Sequence, residues 1–281
     1  MLYIGLVICI LFSYLFFKGY QNTQKFVVNE ITIDTDDRDN KENVLQILHI
    51  SDMHLENISV TPDRLIESIG SYNIDIIALT GDFLDRKRSI PKLIPYLKAL
   101  RNLQPVYGSF AVFGNHDYVL KEKNFVKLKK VLNEYGFQTL QNENRQIELD
   151  GKKINIIGID NYSTKHSDVK KAFTGINQGT NLVLTHDPNV VITINDYRFD
   201  YLLSGHFHGG QIHWPKPYHL KKMGQLVKMN MIKGLHKING RPFYISEGIG
   251  QTGFNIRIGS RPEITIHHFA VNDKVEKAIL K

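Results

Sequence analysis

At 281 residues the chain is long enough for one large domain with a well-buried core or for two small ones, and its 42% hydrophobic and 22% charged content excludes wholesale disorder. The formal net charge of +7 favours anionic partners such as phosphorylated compounds, nucleic acid or acidic lipid headgroups, although lysines that merely solubilise a surface give the same total. The one cysteine, Cys9, lies in the N-terminal apolar stretch, which excludes an internal disulfide, a Cys-based zinc site and a thiolate nucleophile from the rest of the chain.

Residues 1–17 carry no charged side chain and predict an apolar helix. At a rise of about 1.5 Å per residue it is near the short limit for crossing a hydrocarbon core of roughly 30 Å. Tyr3, Tyr14 and Tyr20 suit the two interfaces, and Lys18 can snorkel. No basic residue precedes the run and no small-x-small cleavage site follows it, so an uncleaved single-pass anchor over residues 1–20 fits better than a cleaved signal peptide. Through it a membrane becomes a partner. Lys18 and Lys25 alone favour a cytoplasmic domain too weakly to assign a side.

Residues 21–43 read as a linker with an edge strand over Phe26 to Ile33 and a charged, exposed loop over Asp34 to Glu42. Residues 44–270 read as one α/β domain, in which short apolar runs alternate with amphipathic helices, and residues 271–281 as a basic C-terminal tail. Thr61-Pro62 is an N-cap and first helical residue, with Leu65, Ile66 and Ile69 on one face and Gly70 as the stop. Lys121 to Tyr135 places Phe125, Leu128, Val131, Leu132 and Tyr135 on one helical stripe, and Asp187-Pro188 opens a further helix with Val190, Val191 and Ile194 inward.

Five apolar strands each end in residues that carry chemistry. Val44 to Ile50 runs into Ser51-Asp52-Met53-His54, and Ile74 to Thr80 runs into Gly81-Asp82-Phe83-Leu84-Asp85. Ser109 to Phe113 runs into Gly114-Asn115-His116-Asp117, Asn181 to Thr185 into His186-Asp187, and Asp200 to Ser204 into Gly205-His206-Phe207-His208. Ligands of open α/β sheets bind outside the carboxyl ends of strands, so these five ends are expected to converge on one crevice. Two carboxylates, an amide oxygen and four imidazoles make a mixed nitrogen and oxygen set suited to Mn, Fe, Zn or Co. A pair of such ions clamps a phosphoryl group and generates hydroxide. Asp82 is the natural bridging carboxylate, because Gly81 lets the backbone approach closely.

In this order the motifs resemble the calcineurin-like metallophosphoesterase family, and Gly205-His206-Phe207-His208-Gly209-Gly210-Gln211, with the later Gly248-Ile249-Gly250 and Arg261-Pro262-Glu263-Ile264, resembles its bacterial membrane-anchored or exported members. The resemblance implies a four-layer α/β/β/α sandwich of two mixed sheets. It implies that Asp52, His54 and His208 hold one divalent or trivalent metal ion, that Asn115, His186 and His206 hold a second, and that Asp82 bridges them. A hydroxide between the metals would attack phosphorus. His116 would protonate the leaving oxygen, and Asp117 would orient His116 by accepting its other ring N–H. Asp85 fills a position that varies within the family.

A lone Asp-x-His or Gly-Asn-His-Asp has blander readings, as a chance loop tripeptide or a turn. Five such motifs in order at strand ends do not. His49, His166, His213, His219, His236, His267 and His268 stand outside the motifs and read as structural or surface residues. Lys121 to Lys130 reads as the solvated face of a helix. The run Lys216, Lys221, Lys222, Lys228, Lys233 and Lys237 suits either a substrate cover or an anionic membrane surface. The function expected is hydrolysis of a phosphoester or diphosphate bond in a small or lipid-linked, cell-envelope substrate. A nuclease or nucleotide phosphodiesterase on the same site is the alternative, although no stacking platform favours nucleic acid. A non-catalytic interaction scaffold fits less well, because His116 and all seven presumed ligands are present. No specific protein partner is expected.

Overall fold

The computed structural model describes residues 2–33, 43–70, 72–213 and 216–271. The charged loop expected over residues 34–42, nearly all of the basic tail, and Trp214 and Pro215 lie outside the described residues. In chain order the elements are α1 (Leu2–Thr23), β1 (Val27–Ile33), β2 (Val44–Ile50), α2 (Pro62–Ile69), β3 (Ile76–Thr80), α3 (Ile90–Arg101), β4 (Ser109–Val112), α4 (Glu122–Glu134) and β5 (Phe137–Thr139). They continue with β6 (Glu143–Leu149), β7 (Lys152–Gly158), α5 (Val169–Ala172), β8 (Thr180–Leu184), β9 (Tyr201–Ser204), α6 (Gln225–Lys228), β10 (Gly234–Ile238), β11 (Arg241–Ile245) and β12 (Glu263–Ala270).

The strands form two six-stranded mixed sheets, ordered β1-β12-β2-β3-β4-β5 and β10-β11-β9-β8-β7-β6. Strands β2, β3, β4 and β5 run parallel in the first sheet, as do β7, β8, β9 and β11 in the second, so the motif-bearing ends of each sheet share one edge. Side chains alternate across a strand, and both faces of β3 are buried: Ile76 and Ala78 point to the core between the sheets, Ile77 and Leu79 to the core under the helices. Leu65, Leu93, Leu97, Leu128 and Leu132 from α2, α3 and α4 close that outer core. On the far side Val190, Val191, Ile194 and Leu226 cover Ile157, Val183, Leu202 and Phe243 of the second sheet. The result is the α/β/β/α sandwich expected, with its fourth layer built from short helical turns.

Local chemistry sets several boundaries. The Thr61 hydroxyl accepts from the Arg64 N–H and starts α2. Strand β9 begins at Tyr201, one residue later than its apolar pattern suggests, because the Asp200 carboxylate caps the Asn181 N–H of the neighbouring strand. The helix expected after Asp187-Pro188 is one 3-10 segment, Pro188–Ile192, whose first N–H groups are capped by the Asp187 carboxylate at Asn189.

Helix α1 has 22 residues, about 33 Å long at 1.5 Å per residue, and is long and apolar enough to cross a membrane. Its first part is exposed, whereas Gly19 and Thr23 are buried. The Arg257 N–H donates to the Gly19 carbonyl at 2.9 Å, the Asn22 amide donates to the Arg257 carbonyl at 2.9 Å, and the Thr23 and Ser59 hydroxyls pair at 2.9 Å. The end of the helix is thus bonded into the domain.

Leu203 is fully buried between the sheets. Leu203→Ala should destabilise the detergent-solubilised protein by about 2–5 kcal/mol, against at most about 0.5 kcal/mol for Val126→Ala on the exposed face of α4, as read by urea denaturation.

Candidate metal centre

Each sheet delivers candidate metal ligands at the ends of its strands, five of them on backbone that a side chain rarely adopts. Asp52, His54, Asp82, His206 and His208 have φ of 52°, 37°, 53°, 79° and 51°. Left-handed backbone at a non-glycine residue costs roughly 1–3 kcal/mol and persists only where neighbours enforce it. Here the neighbours are the adjoining strand ends: Asp52 N–H donates to the Gly81 carbonyl, His54 N–H to that of Asp82, and Gly205 N–H to that of His186, each at 3.0 Å. The close approach also needs glycine. A Cβ at Gly114 would overlap the Asp82 carboxylate, and one at Gly205 would overlap the Ser51 hydroxyl and the Asp52 carboxylate.

Three sets of donors have ligand atoms within 4.8 Å of one another: Asp52 with His54 and His208, Asp82 with His186 and His206, and, spanning those two groups, His54 with Asp82 and His116. Asp82 belongs to both neighbourhoods. Its Oδ2 is 3.0 Å from His186 Nε2 and 3.6 Å from His54 Nε2. Ring nitrogens crowd inward, with His54 Nε2 3.1 Å from His208 Nε2 and His206 Nδ1 3.2 Å from His186 Nε2. Asn115 Oδ1 is buried with no hydrogen-bond partner among the described residues. An orphaned acceptor beside two buried carboxylates and four imidazoles fits metal ions and is costly without them.

The remaining contacts orient these donors. His186 Nδ1 donates to the Thr80 carbonyl at 2.7 Å, which leaves Nε2 unprotonated for a cation. The Ser51 hydroxyl donates to Asp52 Oδ2 at 2.6 Å. The electrostatics want positive charge: burial disfavours a charged His186, yet the Asp82 and Asp52 carboxylates raise its pKa to about 10. Burial likewise opposes ionisation of Asp82, but His186 and His54 hold its pKa below the usual carboxylate range. A proton and a metal ion therefore compete for the same field.

His116 lies over this cluster with 30% of its side chain exposed. Its Nδ1 stands 3.0 Å from Asp85 Oδ1, which also approaches His54 Nδ1 at 3.4 Å. Burial alone would lower the His116 pKa; the Asp85 hydrogen bond and the Asp82 and Asp85 charges raise it to about 9. The role expected of Asp117 is not the one its geometry serves. Its carboxylate accepts the backbone N–H groups of Asp82, Phe83 and Gly114, each at 2.9 Å, and so ties the β3 and β4 ends together. The carboxylate that faces the His116 ring is Asp85. Burial and the Asp82 charge push the Asp117 pKa up to about 8, and the N–H donors oppose them.

The sequence profile of calcineurin-like phosphoesterases matches residues 45–210, a span that includes every ligand just described. The chain belongs to the calcineurin-like phosphoesterase family. This phosphoesterase is 60% identical over 251 residues to the uncharacterized metallophosphoesterase YkoQ of Bacillus subtilis (strain 168), covering 89% of this chain and 93% of the relative. It is 27% identical over 227 residues to the uncharacterized metallophosphoesterase YkuE of the same organism, covering 79% and 77%. It is also 30% identical over 280 residues to the UDP-2,3-diacylglucosamine pyrophosphatase LpxG of Chlamydia trachomatis, covering 79% and 82%. It is a metallophosphoesterase, a hydrolase of phosphoester bonds with the residues of a binuclear site.

Motif reading missed one residue of this phosphoesterase altogether. Arg257 is fully buried, and its guanidinium donates to the carbonyls of His208, Glu247, Gly248 and Gly250 at 3.0, 2.7, 3.0 and 2.6 Å. It pins the loop that carries His208. Its only signal in the sequence is an Arg in a glycine-rich segment, four residues before Arg261. Of the histidines outside the motifs, His49 and His267 are fully buried, with His49 Nε2 2.7 Å from the Thr80 hydroxyl and His267 Nδ1 2.8 Å from that of Tyr201. His213 bonds the Gly209 carbonyl and His219 lines the pocket above the ligands, and neither joins the two donor groups.

Because Asp82 lies between both groups, Asp82→Ala should lose more bound metal than His54→Ala, whose neighbours still hold one ion intact. Metal analysis of the two purified variants checks this, and equal occupancy would remove Asp82 from the shared position.

Proposed function

We propose that this phosphoesterase hydrolyses a phosphodiester or diphosphate bond in an envelope-associated substrate, with α1 as its membrane anchor. The observation that carries the reading is a cleft open on both sides of the donor cluster. A pocket of about 340 Å³ includes Asp82, Asn115, His116, His206 and His208, and a second of about 620 Å³ meets it at Asn115 and His206. A phosphorus at the cluster then has room for a substituent on either side, which suits a diester or a diphosphate better than a monoester. The name of the chlamydial relative, a pyrophosphatase of a diacylated sugar nucleotide, supports a substrate of this kind.

Asp52, His54 and His208 would hold one metal ion and Asn115, His186 and His206 a second, with Asp82 placed to serve both. When bound, such ions would supply Lewis acidity at phosphorus and a water acidic enough to react near neutral pH. His116 would carry the proton for the departing oxygen, with its ring held by Asp85 at 3.0 Å. Asp117 keeps Asp82 and Asn115 in register through the backbone.

Removing His116 should matter most where the leaving oxygen needs a proton, since general acid catalysis is worth about 10²–10⁴-fold. His116→Asn should therefore retain bound metal and lose at least about a hundredfold more kcat/KM on a dialkyl phosphate than on bis-p-nitrophenyl phosphate. Asp85→Asn should follow in the same direction, and His186→Ala should depress both substrates alike. Equal losses across leaving groups for His116→Asn would reassign it to binding phosphoryl oxygens. Turnover of p-nitrophenyl phosphate but not of its diester, with Mn²⁺ bound, would contradict the diester reading.

A further inference from the structure

The pocket above the candidate metal ligands has a neighbour that is lined by the helix of membrane-spanning length. Ile212, four residues beyond His208, lines both that pocket and a separate apolar groove of about 750 Å³. One wall of the groove is the face of α1 that carries Phe12, Phe16 and Tyr20, and the other is Ile256 and Ile258. Phe254, exposed to 70%, stands in the pocket wall beside it.

Next to the groove the end of the helix is seated on the domain. A Cβ at Gly19 would stand 3.0 Å from Ile256 Cβ, so the absence of a side chain there lets α1 seat against the domain. The main chain of Arg257 bonds Gly19 and Asn22 of α1, while its guanidinium carries the His208 carbonyl. One residue thus ties the groove wall and a metal-ligand loop into a single body. The pocket on the other side of Asn115 and His206 is different in kind. Tyr162, Ser163, Thr164, Asn189 and Lys222 line it with hydroxyls, an amide and a cation.

The geometry points to an amphiphilic substrate: we infer that the groove between α1 and Ile256–Ile258 binds the hydrocarbon tail, with the scissile phosphorus at the metal cluster and the polar substituent beside Tyr162 and Lys222. This rests on the hydrolase reading above and assigns its two arms. The tail is the occupant because the groove is lined almost wholly by apolar side chains and shares Ile212 with the reaction pocket, which puts it next to a chain leaving the phosphoryl group. Burial of each methylene is worth roughly a fourfold gain in binding at full desolvation.

The test is a series of alkyl p-nitrophenyl phosphodiesters from methyl to decyl, all with the same leaving group, assayed with Mn²⁺-loaded full-length protein in phosphatidylcholine nanodiscs. The ratio of kcat/KM for decyl over methyl should exceed about a hundredfold, with the gain levelling off once the groove is filled. Phe16→Ala and Ile258→Ala should each reduce that ratio at least about tenfold, and Leu11→Ala, on α1 but outside the groove, should leave it as in the wild type. Phe16 is more than half exposed, so its truncation leaves the folded core intact. A ratio that is flat, or equally steep in both groove variants, would overturn the assignment, leaving bulk membrane lipid in the groove and the hydrolase reading standing. No turnover of even the methyl diester would instead sink the hydrolase reading and this inference with it.

Discussion

Two carboxylates buried side by side, Asp52 at 0% and Asp82 at 1% exposure, set the terms for the rest of the molecule. Charge in a protein interior is tolerated only when it is paired, and these two face four imidazoles, of which His186 has its pKa raised to about 10 by their charge. The surrounding structure therefore supplies a place for cations, and it does so at a conformational cost. Five ligand residues hold left-handed backbone, which neither Asp nor His adopts freely. Such strain needs a rigid frame, and the frame here is two sheets buried on both faces whose parallel strands end along one edge.

The frame is locked by groups outside the donor cluster or behind it. Asp117 gathers four N–H groups from two strand ends, Ser51 steadies Asp52, and Arg257 gathers five carbonyls around the His208 loop. Burial pushes the Arg257 pKa down to about 10, which still leaves it charged at neutral pH and able to serve all five. Through the same residue the membrane-length helix joins the metal centre. An anchor attached by a flexible linker would leave the reaction pocket free to face any direction. The bonds from Gly19, Asn22 and Thr23 hold the pocket at a set position relative to α1.

The cluster of candidate metal donors was legible in the sequence because each lies where an apolar strand stops, and because Asp, Asn and His in that position have few other uses. The two-sheet sandwich followed from the resemblance those motifs carry, and the five motif-bearing strands appear within two residues of where their apolar runs place them, whereas β5, β6, β7, β10, β11 and β12 were not placed from the sequence. The partner of His116 was not legible. Asp117 is its neighbour in the chain but opens a 3-10 turn, Asp117–Val119, that sends its carboxylate back under β3 and β4. The ring faces Asp85, 31 positions earlier. Arg257 was hidden for a related reason: its partners are main-chain carbonyls, which leave no pattern of side chains to read. The docking of α1 was also silent, since hydropathy ends the span near Phe17 while hydrogen bonding carries the helix on to Thr23.

The claim on which all of this turns is that one carboxylate is shared between two ions. Anomalous diffraction from crystals of the protein grown with Mn²⁺ measures it directly. The account predicts two peaks about 3.5–4 Å apart, the Asp82 carboxylate in contact with both, and Asn115 Oδ1 coordinated to the one that His186 and His206 hold. A single peak, or two with Asp82 reaching only one of them, would contradict it.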